Sequence, residues 1–387
     1  MTHLTGRHYQ SGEPITVTLS GAKVARVAPA APGDRELPII APSFVDLQVN
    51  GYGGQEFNAA DLTAEKVVRI VDQHAPFGVT ALCPTVTTGS FETLAHGLHA
   101  IDAACREYPR MARRIVGVHL EGPYISSEDG PRGAHPLEHC RQPDWNEFER
   151  LQEAAGRRIR LLTLSPEFDE APAFIAKAVA SGVIVAIGHT AADTEQIRAA
   201  VDAGASLSTH LGNGAHRMLR RHPNYIWDQL ADDRLTASLI ADGHHLPPAV
   251  VKTFVRAKMP ERCILVSDES GLAGLPPGEY DTNLCKLEIL PDGRLVIAGQ
   301  DQLLAGASLP IGVGVANVMR LAGVDLATAV HMASTWPAKL VGHQPGGLEP
   351  GDPADLVVFD LVGPVNAQQL SVRQTICAGE VIYQTDK

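Results

Sequence analysis

The chain has 387 residues, 44% hydrophobic and 20% charged, enough for a large buried core in a barrel-sized domain with a small companion. With 32 basic and 44 acidic residues its formal charge is −12, which argues against general affinity for nucleic acid or anionic membranes. No apolar run is long enough for a membrane span, and residues 1–14 contain no apolar stretch, so neither a span nor a secretory signal is expected. The six cysteines form no CxxC pair, so free thiols in a reducing, cytoplasmic compartment are expected.

The first 40 residues read as short strands. Ile15 to Pro29 alternates apolar and polar residues and is broken at Ser20-Gly21. From Thr63 to Gly78 the apolar spacing is helical, with Thr63 as N-cap, Glu65 as a first-turn acid and Gly78 as terminator. Thr194 to Ala205 has the same spacing. Between such helices lie eight apolar runs: Phe44–Val49, Val79–Thr85, Ile115–Leu120, Ile159–Leu164, Ile184–Ile187, Leu207–Leu211, Thr236–Ile240 and Cys263–Val266. Eight alternating units in roughly 300 residues predict a TIM-like (β/α)8 barrel. An open doubly wound sheet shares the alternation, but no GxGxxG fingerprint follows the first strand. Cys285 to Gly299 reads as a hairpin about Pro291-Asp292-Gly293. Asp355 to Leu361 and Gly379 to Thr385 are again strand-like, after a turn at Gly351 to Asp355. Residues 1–41 and 346–387 are therefore expected to form one small β-sandwich domain, and 42–345 the barrel.

Four strand ends carry the parts of a hydrolytic metal site. They are Glu121 in HLEG, His189 in GHT, His210 in THL and Asp268 in VSD. Either His alone would read as a buried, hydrogen-bonded imidazole. Two on successive strand ends, with a Glu upstream and an Asp downstream, read as a metal site, because barrel strand ends meet at one face. One carboxylate and two imidazoles suit Zn²⁺, with Fe²⁺ as competitor. Asp268 is placed to move a proton from water to a leaving nitrogen. His135 and His245, on loops after strand ends, could donate to a substrate oxygen. The first strand carries Gln48 and Asn50, which are neutral and poor zinc ligands, so one divalent metal per chain is expected rather than a bridged pair.

Together these motifs resemble the N-acetylglucosamine-6-phosphate deacetylase family, within the amidohydrolase superfamily. The resemblance rests on PSFVDLQVNGYGG, VGVHLEGPYIS, GAHP, GHTAAD, STHLGNGAH, ADGHHL, LVSDES and LLAGASL, in that order along nearly the whole chain. It implies hydrolysis of the acetamido group of an amino-sugar 6-phosphate, releasing acetate. By position, Glu121, His189 and His210 would hold the metal, Asp268 would be the acid/base, and His135 would polarise the acetyl carbonyl. Ala134, Asn213, Gly214, His245, Leu304, Ala305 and Gly306 would contact the sugar phosphate. Arg221 would bind the phosphate, its planar fork suiting that anion. The family completes this site from a neighbouring subunit, which implies a homodimer. Two departures bear on the sugar. Gly212-Asn213-Gly214-Ala215 stands where the family has an aromatic residue and Asn-Ala-Met, and Ala307 stands where Ser is common. The galactosamine epimer, a sugar without phosphate, or another N-acyl substrate are the alternatives.

Overall fold

The structure, a computed structural model, describes residues 1–31, 37–282, 286–364 and 367–385. It opens with β1 (Thr2–His8), β2 (Pro14–Ser20) and β3 (Lys23–Pro29), an antiparallel meander, followed by β4 (Ile39–Pro42), which pairs parallel to β1. In β2, Ile15, Val17 and Leu19 are buried and their neighbours are not, the period-2 pattern of a half-covered sheet.

One residue after β4 the chain enters the barrel. Its first strand is β5 (Phe44–Val49), buried throughout. A two-residue hairpin, β6 (Gly51–Tyr52) and β7 (Gln55–Glu56), follows at the barrel mouth. The remaining barrel strands are β8 (Val79–Thr87), β9 (Val118–Glu121), β10 (Ile159–Leu164), β11 (Ile184–Ile187), β12 (Leu207–Ser208), β13 (Thr236–Leu239) and β14 (Cys263–Leu265). All eight are parallel, in the order β14-β13-β12-β11-β10-β9-β8-β5. Near-continuous apolar strands covered by helices are the signature of a parallel sheet buried on both faces. The two edge strands are joined at the mouth by a bridge between Val49 and Glu269 and a bond from Asp268 N to Gln48 O of 3.0 Å.

The structure corrects several expected bounds. The run expected over Ile115–Leu120 begins at Val118, with Ile115 making only a lone bridge to Leu82, and it includes Glu121. The run expected to reach Leu211 stops at Ser208, because His210 turns to φ +27°. The helix after Thr63 spans Ala64–Asp72, with the Thr63 hydroxyl accepting from Lys66 N; a separate 3-10 turn (Ala75–Phe77) precedes left-handed Gly78. The helix in Thr194–Asp202 is capped by Asp193 in a capping box with Gln196.

After β14 the chain inserts a four-stranded antiparallel sheet: β15 (Gly278–Asp281), β16 (Lys286–Ile289), β17 (Leu295–Ile297) and β18 (Gln300–Leu304). The expected hairpin is β16–β17, turning where Leu290 O accepts from Gly293 N; Cys285 itself lies outside the described residues. This insert has its own small core of Leu272, Leu287, Ile289 and Leu295. Finally β19 (Leu356–Val362), β20 (Gln369–Cys377) and β21 (Glu380–Gln384) return to the N-terminal strands. Hydrogen bonding runs unbroken through all seven, in the order β21-β20-β19-β4-β1-β2-β3. Among the described residues no helix is long and apolar enough to cross a membrane.

Candidate metal centre and active site

The barrel mouth opens into a cavity of about 540 Å³. Glu121, the last residue of β9, places Oε1 3.2 Å from His189 Nε2 and 3.0 Å from His210 Nε2. The two Nε2 atoms are 3.1 Å apart. All three side chains are buried, and their ligand-type atoms are close enough to share one ion.

The surroundings decide which atoms carry lone pairs. His189 Nδ1 lies 2.9 Å from Pro131 O, and a carbonyl can only accept, so Nδ1 bears the hydrogen and Nε2 faces the centre as a base. A carboxylate oxygen and an imidazole lone pair facing each other repel unless a cation or a proton lies between. The donor set therefore fits a divalent metal ion. Burial pushes Glu121 upward, but with a proton in that gap, hydrogen bonds and charge from His189 and His210 outweigh it and hold this carboxyl well below the usual range.

Asp268 sits beside this centre. Its Oδ1 accepts from Asn50 Nδ2 at 2.7 Å and from Gln48 Nε2 at 3.0 Å, and the same Gln48 amide donates to Glu121 Oε1 at 3.1 Å. Burial, then the charge of Glu121, raises the Asp268 pKa. His135 Nε2 lies 3.3 Å from His189 Nε2; burial, reinforced by His189, pushes His135 down to about 3, so its ring is neutral. A neutral imidazole still has one N–H to give to a substrate oxygen. Three residues here, His189, His210 and Asp268, are non-glycine positions with positive φ of 49°, 27° and 55°. Each stores about 1–3 kcal/mol of backbone strain, which turns the side chain off its strand into the cavity.

The other sequence candidates divide. Ala134, Asn213 and Gly214 line the cavity, as do Leu304, Ala305 and Gly306. His244 and His245 both line it, and the backbone N–H groups of both donate to Asp242 Oδ1; the His245 ring is fixed in addition by Asp242, Nδ1 to Oδ2 2.8 Å. Arg221 does not line the cavity of its own chain. It is exposed, in a segment with Arg217, Met218, Leu219 and Arg220. Arg217 lines the cavity, as does Arg294, from the turn of the inserted sheet. Sequence reasoning missed Arg294 because nothing in the hairpin signal tells which way its turn points. It also read Gln48 and Asn50 only as absent ligands, although polar side chains two apart on a buried strand signal a common partner.

The Amidohydrolase family model matches residues 39–382. The chain is 33% identical over 334 residues to N-acetylgalactosamine-6-phosphate deacetylase of Escherichia coli O157:H7, covering 86% of each. It is 32% identical over 360 residues to N-acetylglucosamine-6-phosphate deacetylase of Bos taurus, covering 90% of this chain and 84% of the relative. A crystal structure of N-acetyl-D-glucosamine-6-phosphate deacetylase from Mycobacterium smegmatis superposes with a TM-score of 0.88 at 32% identity, over 99% of this chain and 100% of that one. The polar cluster at the barrel mouth thus belongs to an enzyme, and the chain is a member of the amidohydrolase family, in its N-acetylglucosamine-6-phosphate deacetylase group.

Proposed function

We propose that the protein hydrolyses the acetamido group of an N-acetyl amino-sugar 6-phosphate, foremost N-acetylglucosamine 6-phosphate, to the amino-sugar phosphate and acetate. The observation that carries this reading is Asp268, held by Asn50 and Gln48 beside the converging Glu121, His189 and His210. In it, Glu121, His189 and His210 hold one Zn²⁺. A divalent ion supplies Lewis-acid chemistry there, acidifying water and polarising a carbonyl. Asp268 takes the proton of the attacking water and returns it to the amide nitrogen as the C–N bond breaks. Its raised pKa suits a group that must hold that proton between the two steps. His135 donates to the acetyl oxygen, and His245, its Nδ1–H given to Asp242, turns Nε2 to accept from a sugar hydroxyl. Ala134, Asn213, Gly214 and Leu304 to Gly306 form the sugar walls.

The phosphate falls to arginine. Arg217 and Arg294 face the cavity, and Arg221 serves from the neighbouring subunit of a homodimer. The exposure of Met218, at 91%, and Trp227, at 49%, beside that arginine segment supports a partner surface there. The same reading divides the chain into a small β domain (1–41 and 346–387) and the barrel (42–345), and places it in the cytoplasm. A second substrate, N-acetylgalactosamine 6-phosphate, is favoured by one feature. Gly212 and Gly214, both at positive φ, leave the sugar wall without two side chains. One of the relatives above also carries that epimer in its name.

The test is acetate release by zinc-reconstituted protein from N-acetylglucosamine and N-acetylgalactosamine, each with and without the 6-phosphate. Turnover confined to the phosphorylated sugars is expected, and the faster epimer names the substrate. Equal turnover without phosphate would remove the arginines from recognition, and none on any sugar would move the reaction to another N-acyl compound.

A further inference from the structure

Residues 268 and 269 are the seam where the barrel closes. Asp268 N donates to Gln48 O at 3.0 Å, and Asn50 N donates to Glu269 O at 2.8 Å. On the other side Ala307 N donates to Asp268 O, and Ser270 N to Ala307 O, each at 2.9 Å. Glu269 thus forms a parallel bridge to Val49 and another to Ala307. At this seam, where Asp268 adopts a positive φ of 55°, the Asp268 side chain lines the cavity, while Glu269 is buried in the protein, 1% exposed.

Glu269 meets His74, which follows the helix Ala64–Asp72 and is equally buried, with Nε2 3.3 Å from Glu269 Oε2. His74 Nδ1 lies 2.8 Å from Ile70 O, so it carries a hydrogen. A neutral ring would then turn the Nε2 lone pair toward a carboxylate, and the contact is attractive only with a proton between them. Burial alone would lower His74, but the Glu269 carboxylate more than reverses this and raises it. Among the described residues neither Glu269 oxygen has a well-aligned hydrogen-bond partner, so His74 is what compensates this carboxylate. The other charged or titratable groups facing the pair are Asp46, from the first barrel strand, and Tyr52, whose ring packs on His74 at 5.4 Å. A buried pair of this kind adds little stability over apolar side chains of equal size, but it has direction.

We propose that Glu269, tied to His74 by the proton between them, is a positioning residue for Asp268. It pins the seam in the backbone register that holds Asp268 at positive φ with its carboxylate beside the metal centre. This rests on the reading of Asp268 as proton carrier.

Two variants of similar volume separate positioning from packing. Glu269→Leu fills the site without a polar group, while Glu269→Gln can donate its amide to a neutral His74 Nε2. With wild-type metal content in each, Glu269→Leu is expected to lower kcat for acetate release about 10- to 100-fold while KM moves less than about threefold. Glu269→Gln should recover kcat to within about threefold of wild type. In an Asp268→Asn background, Glu269→Leu should change the residual rate by less than about twofold, since residues that act as a unit do not add. Wild-type kcat in folded Glu269→Leu, equal losses in both variants, or additive losses with Asp268→Asn would each overturn the proposal. If Glu269→Leu does not fold, ring-nitrogen NMR of wild-type His74 decides: Nε2 engaged by a proton shared with Glu269 supports the couple, and a free lone pair there overturns it. Wild-type turnover in Asp268→Asn would instead sink the reading of Asp268. Amide exchange at Asp268 then judges the couple separately, with faster exchange in Glu269→Leu than in Glu269→Gln supporting it and identical exchange overturning it.

Discussion

The side-chain amides of Asn50 and Gln48 hold carboxylates in place. Asn50 Nδ2 makes the shorter bond to Asp268, 2.7 Å. A hydrogen bond to a charged group contributes about 1.5–3 kcal/mol. Asn50→Ala should therefore lower kcat about 10- to 100-fold with metal content unchanged, measured by steady-state acetate release alongside metal analysis. Deeper in the strand, Asp46 is fully buried and accepts from the backbone N–H of Gln48 and Ser267. Burial pushes its pKa up to about 7, well above that of an unfolded Asp. Between about pH 4 and 7 the folded chain keeps a proton that the unfolded chain has lost, so this group makes stability fall as pH rises through that window. In Asp46→Asn the denaturant midpoint should vary less with pH across that range; an unchanged slope would remove Asp46 as its source. Glu121, His189, His210 and Asp268 were legible as strand-end residues because their types have few other uses there. Arg294 was not, since its role depends on where a distant hairpin lands.

Loops and strand ends set the geometry. Gly214 was readable as a permissive position, and its φ of +56° agrees, but its packing was invisible. A Cβ there would stand 2.7 Å from His189 Nδ1, the atom that donates to Pro131 O. Gly214→Ala should therefore tilt the His189 ring and weaken metal binding about 10- to 100-fold, as loss of an orienting hydrogen bond does elsewhere. Chelator competition on the folded variant measures this; unchanged affinity would show that the loop yields instead of the ring. Gly188 is constrained from two sides, a Cβ there standing 2.8 Å from both Thr163 Cγ2 and Thr209 Cβ. Alternating strands and helices were legible because each strand lies in a short, mostly apolar run. The early end of β12 was not, because Thr209 to Leu211 continues the run while the backbone turns at His210.

At the scale of the whole molecule, the terminal sheet and the barrel share one core. Phe44 and Val357 both press on Gly78, and Thr375 Oγ1 donates to Ala75 O at 2.7 Å. Removing residues 346–387 would strip this cover from Phe44 and Val79, both now buried. Such a truncated chain should fail to give a cooperative thermal transition in circular dichroism, and a sharp transition would show that the barrel folds alone.

The sequence by itself determined the alternation of elements, the contribution of both chain ends to β structure, and the chemical types at four strand ends. Those are local properties, set by apolar periodicity and by residues whose side chains carry charge or lone pairs. Only the tertiary structure decided that Gln48 bridges Glu121 and Asp268, that Arg294 reaches the cavity, and that His74 meets Glu269 195 positions away. Each is a contact between segments distant in the chain, and no local pattern encodes the angle at which two packed elements meet.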